Sequence, residues 1–529
     1  MKPGEAFRLW NRKFVLYFGL VVALSLFTAV ASHAQHEEPA HTEETAGSVE
    51  EHTGEAVNAG APGHEEGDAH GEEAMHGEHG EEGGHGGGHG SWKPPLWSIT
   101  GFVLMLLSIA VIPLVKPHWW EHNKNRAIVS SLLGVPVAIY VVVEAGMIPL
   151  LHSFHEYEQF IILLLSLFVI SGGVWLSGDV KATPRNNVVF IAIGAALASF
   201  IGTTGAAMLL IRPLISTNRE RKYVMHTVIF FIFLVANIGG SLTPVGDPPL
   251  FLGYLKGVPF VWTFKLWIYW LPTVIWLLAL YFIIDTVFYK KESPEALEKD
   301  EANIKPLKLR GAHNFIFLLG VVLSIYFYPD MLSFMVNNLG IDSHTAEYIP
   351  IREALMLLFA LLSWVTTKID YRKAQNFTWE PIIEVAILFA GIFATMVPAL
   401  AILRAWGPTS PIKDPWHFFW ITGALSSFLD NAPTYLTFLA LGEGQPVPEG
   451  FTPIALNSGS AVKEITLKAI SVGAVFMGAN TYIGNAPNFM VKSIAEENKI
   501  KMPSFFGYMA WSGAILVPTF IVITLIAFI

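Results

Sequence analysis

Two hydrophobic blocks of this chain, 228 residues apart, are each interrupted at the centre by polar residues. The first runs Ala198-Ser-Phe-Ile-Gly-Thr-Thr-Gly-Ala206 and the second Ser426-Ser-Phe-Leu-Asp-Asn-Ala-Pro-Thr434. A second interrupted pair, at 240–251 and 478–489, repeats Gly, Thr, Gly, Pro and Phe in register. Hydrocarbon offers no hydrogen bonds, so a broken backbone at membrane depth must lie within protein or line a watery cavity. Matching breaks in two halves of a chain indicate the binding site of a membrane transporter.

The composition excludes a soluble globular protein. Of the 529 residues, 53% are hydrophobic and only 14% are charged, and the hydrophobic runs are long enough to span a lipid bilayer. The chain contains no cysteine, which excludes disulfides and thiolate chemistry. No basic patch of the kind that binds nucleic acid is present, so the bilayer is the expected surrounding and nucleic acid is not an expected partner.

The amino terminus carries a targeting signal. Four basic residues precede an apolar run over 14–30, and Ser32-His33-Ala34 then supplies a small-x-small cleavage site. We predict a signal peptide over 1–34. An uncleaved signal anchor is the alternative, and both interpretations place residue 35 outside the cytoplasm, with the following segment in the periplasm of a bacterium.

Residues 35–92 form a separate acidic segment with 15 Asp or Glu and no Lys or Arg. This His/Glu/Gly-rich composition cannot bury enough apolar surface to fold, so we predict a disordered extracytoplasmic tail. Neutral imidazole and carboxylate suit divalent metals, although a solvated spacer explains the composition equally simply. The candidate metal ligands are His64, His70, His76, His79, His85 and His89.

Loop charges place the hydrophobic spans by the positive-inside rule. A first transmembrane repeat over 93–289 and a second over 312–529 are joined by a Lys-rich segment over 290–311, which we predict to be a cytoplasmic linker. Each half shows three spans, a hairpin, a broken span and a closing span, in opposite orientations. The ordinary and broken spans are predicted over 96–115, 127–150, 159–179, 223–257, 260–289, 312–328, 351–367, 379–403, 464–498 and 504–529.

Two further apolar segments, 188–215 and 415–442, each return to the side from which they start, because the loops at their two ends have the same charge character. One long ordinary span is the alternative for 188–215. The sequence therefore predicts an all-α polytopic membrane protein, built as an inverted-topology repeat with two re-entrant helical hairpins and two broken transmembrane helices.

Candidate ion-binding residues lie at the hairpin tips and helix breaks, since charges at membrane depth are costly and usually functional. Asp247 lies in the first broken span and Asp430 at the second hairpin tip. Repeat equivalence matches Asn485 with Asp247, so two half-sites of carbonyls, hydroxyls and one carboxylate each are expected to suit a small hard cation such as Na⁺, without any cofactor. The full candidate set is Asp247, Asp430, Asn431, Asn485, Thr203, Thr204, Thr243, Thr434, Asn480 and Thr481.

Each acidic candidate has a plainer interpretation. Asp247, before Pro248, and Asp430 could each serve only as a helix N-cap or turn residue. Glu384 lies about one turn inside its span, where it would act either as a proton relay or as a side chain that reaches the membrane surface. A carboxylate that binds Na⁺ can bind H⁺ instead, and competition of the two ions for one alternating site is sufficient for antiport.

At these residues the chain resembles a known family. The strings at 201–213, 237–251, 428–434 and 484–488 are similar to those of NhaD-type sodium/proton antiporters of the ion transporter superfamily, and the resemblance covers roughly 96–529. It implies exchange of Na⁺ or Li⁺ for H⁺ across the bacterial inner membrane. It also implies a homodimer in which a transport domain moves against a fixed scaffold. The superfamily includes arsenite pumps and dicarboxylate carriers.

The sequence thus favours a secondary active transporter that exchanges Na⁺ or Li⁺ for H⁺, in a role such as pH homeostasis. A Na⁺-coupled organic anion or arsenite transporter on the same scaffold is the alternative. No His-Glu-x-x-His pair or Gly-x-Ser-x-Gly elbow occurs in the hydrophobic core, which argues against an enzyme. A metal sensor built around the tail is a third interpretation.

Overall fold

The computed structural model describes residues 92–529. The predicted signal peptide and nearly all of the His-rich tail, with its candidate metal ligands, lie outside these residues. The helices are α1 Thr100–Val115, α2 Pro117–Trp120, α3 Asn123–Ala145, α4 Ile148–Ser171, α5 Pro184–Ile201, α6 Thr203–Thr217, α7 Met225–Leu234, α8 Pro248–Leu255, α9 Trp267–Tyr289, α10 Pro294–Ala302, α11 Asn314–Tyr326, α12 Tyr328–Leu339, α13 Ser343–Tyr348, α14 Ile351–Thr366, α15 Ile369–Ala374, α16 Glu380–Trp406, α17 Pro415–Ser426, α18 Asn431–Glu443, α19 Glu464–Met477, α20 Ala486–Glu497 and α21 Phe505–Ala527. The strands are β1 Trp175–Asp179, β2 Lys305–Arg310, β3 Pro453–Ala455 and β4 Ala461–Lys463.

Within the described range, nine helices are long and apolar enough to cross a membrane. Helix α3 illustrates how they meet lipid. Leu132, Val135, Ile139 and Val143 recur every three or four residues and are all exposed on the protein surface. Such a contiguous apolar stripe is stable only against hydrocarbon. The prediction of an all-α polytopic membrane protein is therefore confirmed.

The first re-entrant hairpin consists of α5 and α6. The Nδ2 atoms of Asn187, near the start of α5, and Asn218, just after α6, donate to each other's Oδ1 at 2.9 Å. A continuous helix would hold these residues more than 40 Å apart, at about 1.5 Å per residue, so the chain must return on itself. The turn is Gly202, whose φ of 80° favours glycine. Helix α5 alone is apolar enough to count as a span, but this contact makes it one arm of a hairpin.

The second hairpin consists of α17 and α18 and closes in the same way. The Nε2 atom of Gln445, after α18, donates to the carbonyl oxygen of Ile412, before α17, at 2.5 Å. Both hairpins are thus fastened at their open ends by a side-chain amide.

The two broken helices are equivalent in detail. The hydroxyl of Thr243 donates to the carbonyl of Ser199, and the hydroxyl of Thr481 donates to the carbonyl of Ser427. These four positions are two pairs of repeat equivalents, so the same bond fastens each break to the adjacent hairpin. The residues before α8 and α20 also match, with φ and ψ of −143° and 140° at Asp247 and −153° and 142° at Asn485.

Contacts between helix ends agree with the predicted sides of the membrane. At ends predicted to be cytoplasmic, the backbone N–H of Ala182 donates to Asp300 at 2.9 Å. At ends predicted to face outward, Lys265 and Glu464 form an ion pair at 2.8 Å. These bonds join distant parts of the chain whose sides were inferred from loop charge alone, which supports the inverted repeat.

Two segments differ from the predicted spans. Helix α4, which corresponds to the third predicted span, covers 148–171 rather than 159–179. The polar stretch over 152–158 therefore belongs to its first turns and is not a loop. Strand β1 then pairs antiparallel with β2 of the linker, with Trp175 opposite Arg310. Strand β1 is half-buried and β2 is exposed, and backbone pairing of two such short segments leaves no hydrophobic signal, so these strands could not be predicted from hydropathy. Helices α11 and α12 are bent by 53° relative to each other at the break between them.

Candidate functional site

Asp247 lies at the meeting point of both hairpins and both broken helices. Its Oδ1 accepts from the hydroxyl of Thr203 at 3.0 Å and from Nδ2 of Asn485 at 3.3 Å. Its Oδ2 accepts from Nδ2 of Asn431 at 2.7 Å. The three donors come from the first hairpin, the second broken helix and the second hairpin, so this carboxylate joins the two repeats.

Asp247 is buried, and none of its contacts in the described part of the chain is a salt bridge. Asp285 provides a comparison, since that equally buried carboxylate is paired with Arg221 at 2.6 Å and with His226 at 2.8 Å. Although Asp247 precedes the first residue of α8, its side chain makes no capping bond. The N-cap interpretation of Asp247 therefore does not describe its hydrogen bonds.

Four helix N-termini converge on this carboxylate, because Thr203, Pro248, Asn431 and Ala486 begin α6, α8, α18 and α20. Each helix N-terminus carries a partial positive charge. These four dipoles offset part of the free energy lost when the carboxylate of Asp247 leaves water.

Asn431 offers a further oxygen at the same place. Its Nδ2 is used by Asp247, whereas its buried Oδ1 has no hydrogen-bond partner in the structure. Buried polar atoms are normally satisfied. A carboxylate, a threonine hydroxyl and an unused amide oxygen are the donor types that suit a small hard cation. Among the described residues, no group of three or more His, Asp or Glu side chains is arranged to hold a metal ion, so the oxygen set here is mainly uncharged.

Asp430 has a different environment. Its Oδ1 accepts from the backbone N–H of Ala432 at 3.0 Å, which caps α18. It is half-buried and lines the same cavity as Asp247. The N-cap interpretation therefore applies to Asp430, although capping occupies only one of its two oxygens.

Of the remaining candidates, one lines the cavity and the others form hydrogen bonds at the helix breaks and the second hairpin. Thr204 lines the cavity beside Thr203. Thr243 and Thr481 use their hydroxyls to fasten the two breaks, and Thr434 donates to the carbonyl of Asp430 at 2.8 Å. Asn480 donates to the hydroxyl of Ser427 at 3.0 Å, and its own buried Oδ1 has no partner. The expected two half-sites are thus one cluster around Asp247, with a second polar area near Ser427.

Sequence reasoning missed Asn237. Its Nδ2 donates to Oδ1 of Asn488 at 2.7 Å, and its Oδ1 accepts from Asn485 at 3.3 Å. Asn237 therefore holds Asn485, one of the donors to Asp247, from the first broken helix. Its repeat equivalent is Val475, so the internal repeat gave no sign of it. A polar residue inside a strongly apolar run was the only available signal.

A cavity of about 750 Å³ reaches Asp247, Asp430 and Asn485. Its lining extends along Pro381 and Lys501, which lie near helix ends that the loop charges predict to be cytoplasmic. With the sidedness that the loop charges predict, this opening is on the cytoplasmic side.

Glu384 lies along this cavity and forms an ion pair with Arg126, whose Nη2 is 3.0 Å from its Oε1. The Glu384 side chain is half-buried and is held in this pair by the neighbouring guanidinium. Glu384 and Asp247 thus line the same cavity, and Glu384 lies at the end that the loop charges predict to be cytoplasmic.

The opposite end is closed by contacts between the first broken helix and three other helices. Lys256 and Glu156 form an ion pair at 2.5 Å. The hydroxyl of Tyr254 donates to the carbonyl of Ile325 at 2.9 Å, and the guanidinium of Arg352 lies 5.7 Å from the centre of the Tyr254 ring. None of these residues lines the cavity.

Comparison with known proteins gives two matches. The family described as "Putative citrate transport" matches residues 91–528. Inner membrane protein YbiR of Escherichia coli (strain K12) is 31% identical over 128 residues. That alignment covers 22% of this chain and 33% of YbiR, so the chain matches about a third of the relative's length.

Proposed function

We propose that this chain, which belongs to the transporter family described as "Putative citrate transport", exchanges Na⁺ or Li⁺ for H⁺ by alternating access, as do the NhaD-type antiporters that its motifs resemble. The observation that carries the proposal is Asp247, a buried carboxylate at the convergence of both repeats whose contacts are all uncharged donors. A buried carboxylate requires a cation or a proton for neutrality.

Competition at one carboxylate couples the two ions. Na⁺ would bind between Asp247, Thr203 and the Oδ1 of Asn431, and a proton on Asp247 would remove the charge that attracts it. Since only one of the two can neutralise the carboxylate, the site carries Na⁺ in one direction and H⁺ in the other. Glu384, ion-paired with Arg126 beside the cavity, is proposed to pass protons between the cytoplasm and Asp247. The transporter is proposed to act as a homodimer in the bacterial inner membrane.

Organic anion transport is the second candidate, because the family description names citrate. The converging helix N-termini would also attract an anion. Two observations favour the cation. Two of the four N-termini already carry a carboxylate, Asp247 and Asp430. Of the three basic side chains along the cavity, Arg126 and Lys492 are paired with acids, and Lys501 is exposed to solvent.

The proposal is tested in proteoliposomes with an acidic interior, a pH-sensitive dye inside and a clamped membrane potential. Addition of NaCl or LiCl outside should make the interior alkaline. KCl tests whether K⁺ is exchanged as well, and sodium citrate at matched Na⁺ tests whether citrate itself is transported. Uptake of labelled citrate that depends on Na⁺, with no cation-driven proton movement, would instead support the anion carrier.

Asp430→Asn is expected to lower the exchange rate about tenfold or more, because a charge beside the ion site is removed. Asn is as good an N-cap as Asp, so the bond to Ala432 and the fold should persist. Initial rates and thermal unfolding in detergent are the measurements. An unchanged rate would leave Asp430 with its capping role alone.

Cross-linking across the outer end is expected to stop exchange. The natural chain has no cysteine, so Glu156→Cys with Lys256→Cys can be joined by a short bifunctional maleimide without background reaction. If the broken helix must part from α4 when the site turns outward, the cross-linked protein cannot turn over. Each single-cysteine variant treated with the reagent is the matched control. Exchange by the cross-linked protein at the untreated rate would show that these two helices move together.

A further inference from the structure

The cavity that leads to Asp247 is much larger than Na⁺ needs. A water molecule occupies about 30 Å³ in the liquid, so a partly hydrated ion needs only a small part of about 750 Å³. Pockets of this size normally accommodate organic ligands.

The walls of the cavity are mainly apolar and include aromatic rings. They include Trp120, Phe160, Phe389 and Phe505, together with Tyr482 and Phe489, whose rings have the Lys492 ammonium at 5.4 and 5.5 Å. A conduit for a hydrated metal ion gains nothing from such a surface, whereas the faces of aromatic rings attract organic cations. The lining thus favours a ligand with an apolar body.

The charges of the cavity determine the sign of that ligand. Asp247 and Asp430 lie at the end reached by the hairpin tips. Among the three bases of the lining, Arg126 is paired with Glu384 at 3.0 Å, Lys492 is paired with Glu496 at 3.1 Å, and Lys501 is exposed. These carboxylates would repel an anionic ligand, and a neutral ligand would leave their negative charge uncompensated. A single positive charge is complementary to this end.

We propose that the cavity binds lipophilic monovalent organic cations, with the positive centre toward Asp247 and the apolar groups against the aromatic walls, in competition with Na⁺. The inference rests on the proposed function, because it uses the same carboxylate. The ligand acts from the cytoplasmic side, to which the cavity extends.

Tetraphenylphosphonium is the probe, and tetraphenylborate is a control of nearly the same shape with the opposite charge. Equilibrium dialysis measures binding of each labelled ion to the full-length protein in nanodiscs, with empty nanodiscs as background. We expect saturable binding of the phosphonium that Na⁺ displaces, and no saturable binding of the borate. Equal binding of both ions would mean an apolar pocket without charge selectivity and would overturn the inference.

Variants separate the carboxylate from the aromatic wall. Asp247→Asn should weaken phosphonium binding about tenfold or more. Phe505→Ala should weaken it roughly three- to tenfold while Na⁺ exchange persists, since that ring lines the cavity and none of the hydrogen bonds to Asp247 comes from it. Phe506→Ala is the matched control, because Phe506 is exposed and lies outside the lining.

The two proposals can fail separately. Phosphonium binding that depends on Asp247 in a protein without Na⁺/H⁺ exchange would refute the antiporter and keep the cation site. Normal exchange with phosphonium binding unaffected by Asp247→Asn or by Na⁺ would keep the antiporter and refute the cation site.

Discussion

Asp247→Asn is expected to reduce Na⁺- or Li⁺-driven proton exchange to the level of protein-free vesicles, a loss of roughly a hundredfold or more if the ion gains several kcal/mol from the carboxylate. An amide at this position could neither neutralise Na⁺ nor carry a proton. The substitution would remove the group for which the two ions compete. The measurement is dye fluorescence in proteoliposomes over a range of external pH.

The fold should survive this substitution for a local reason. The oxygen of the new amide can still accept from Thr203 and Asn485. Its nitrogen would face Asn431, whose amide can turn so that the unused Oδ1 becomes the acceptor. Every hydrogen bond of the site thus has a neutral replacement.

Ser241→Ala is the matched control, since Ser241 is buried in the same break but donates only to the carbonyl of Ile238, at 2.9 Å. It should retain exchange. Exchange by Asp247→Asn at the natural rate, with the natural pH dependence, would exclude Asp247 as the shared site.

Arg221→Met is expected to lower the free energy of unfolding by about 3 kcal/mol, the lower end of the usual cost of removing one partner of a buried ion pair, because His226 remains 2.8 Å from Asp285. Asp285 accepts from Arg221 at 2.6 and 3.2 Å and from Asn187 at 3.2 Å. Arg221 also lies 3.7 Å from Glu292. The cluster fastens the open end of the first hairpin to α9, so its loss should loosen the hairpin as well as the linker.

Denaturant titration in mixed micelles measures this effect. Arg219→Met is the control, because that neighbouring side chain is exposed and should change stability by no more than about 0.5 kcal/mol. Adding Asp285→Asn to Arg221→Met should recover part of the loss, since the uncompensated charge is then removed. Equal stability of Arg221→Met and Arg219→Met would contradict a structural role for the pair.

Local patterns in the chain predicted the architecture well because they report on local physics. Gly202 at a hairpin tip, and the Gly- and Pro-rich breaks before Phe251 and Phe489, interrupt apolar runs long enough to be helices. Loop charge supplied the sidedness, and the helix-end contacts agree with it. The strand pairing of β1 with β2 was missed, because two short segments so far apart along the chain have no common local signal.

The sequence by itself determined the inverted repeat, the hairpin tips, the breaks and the polar residues available there, because hydropathy, turn residues and loop charge act over a few residues of chain. Only the tertiary structure decided which of these residues meet. It placed three donors around Asp247, from positions as far away as 238 residues. It also assigned the helix cap to Asp430 and the partner Arg126 to Glu384. These pairings depend on how separate helices pack, which the spacing of residues along the chain does not encode.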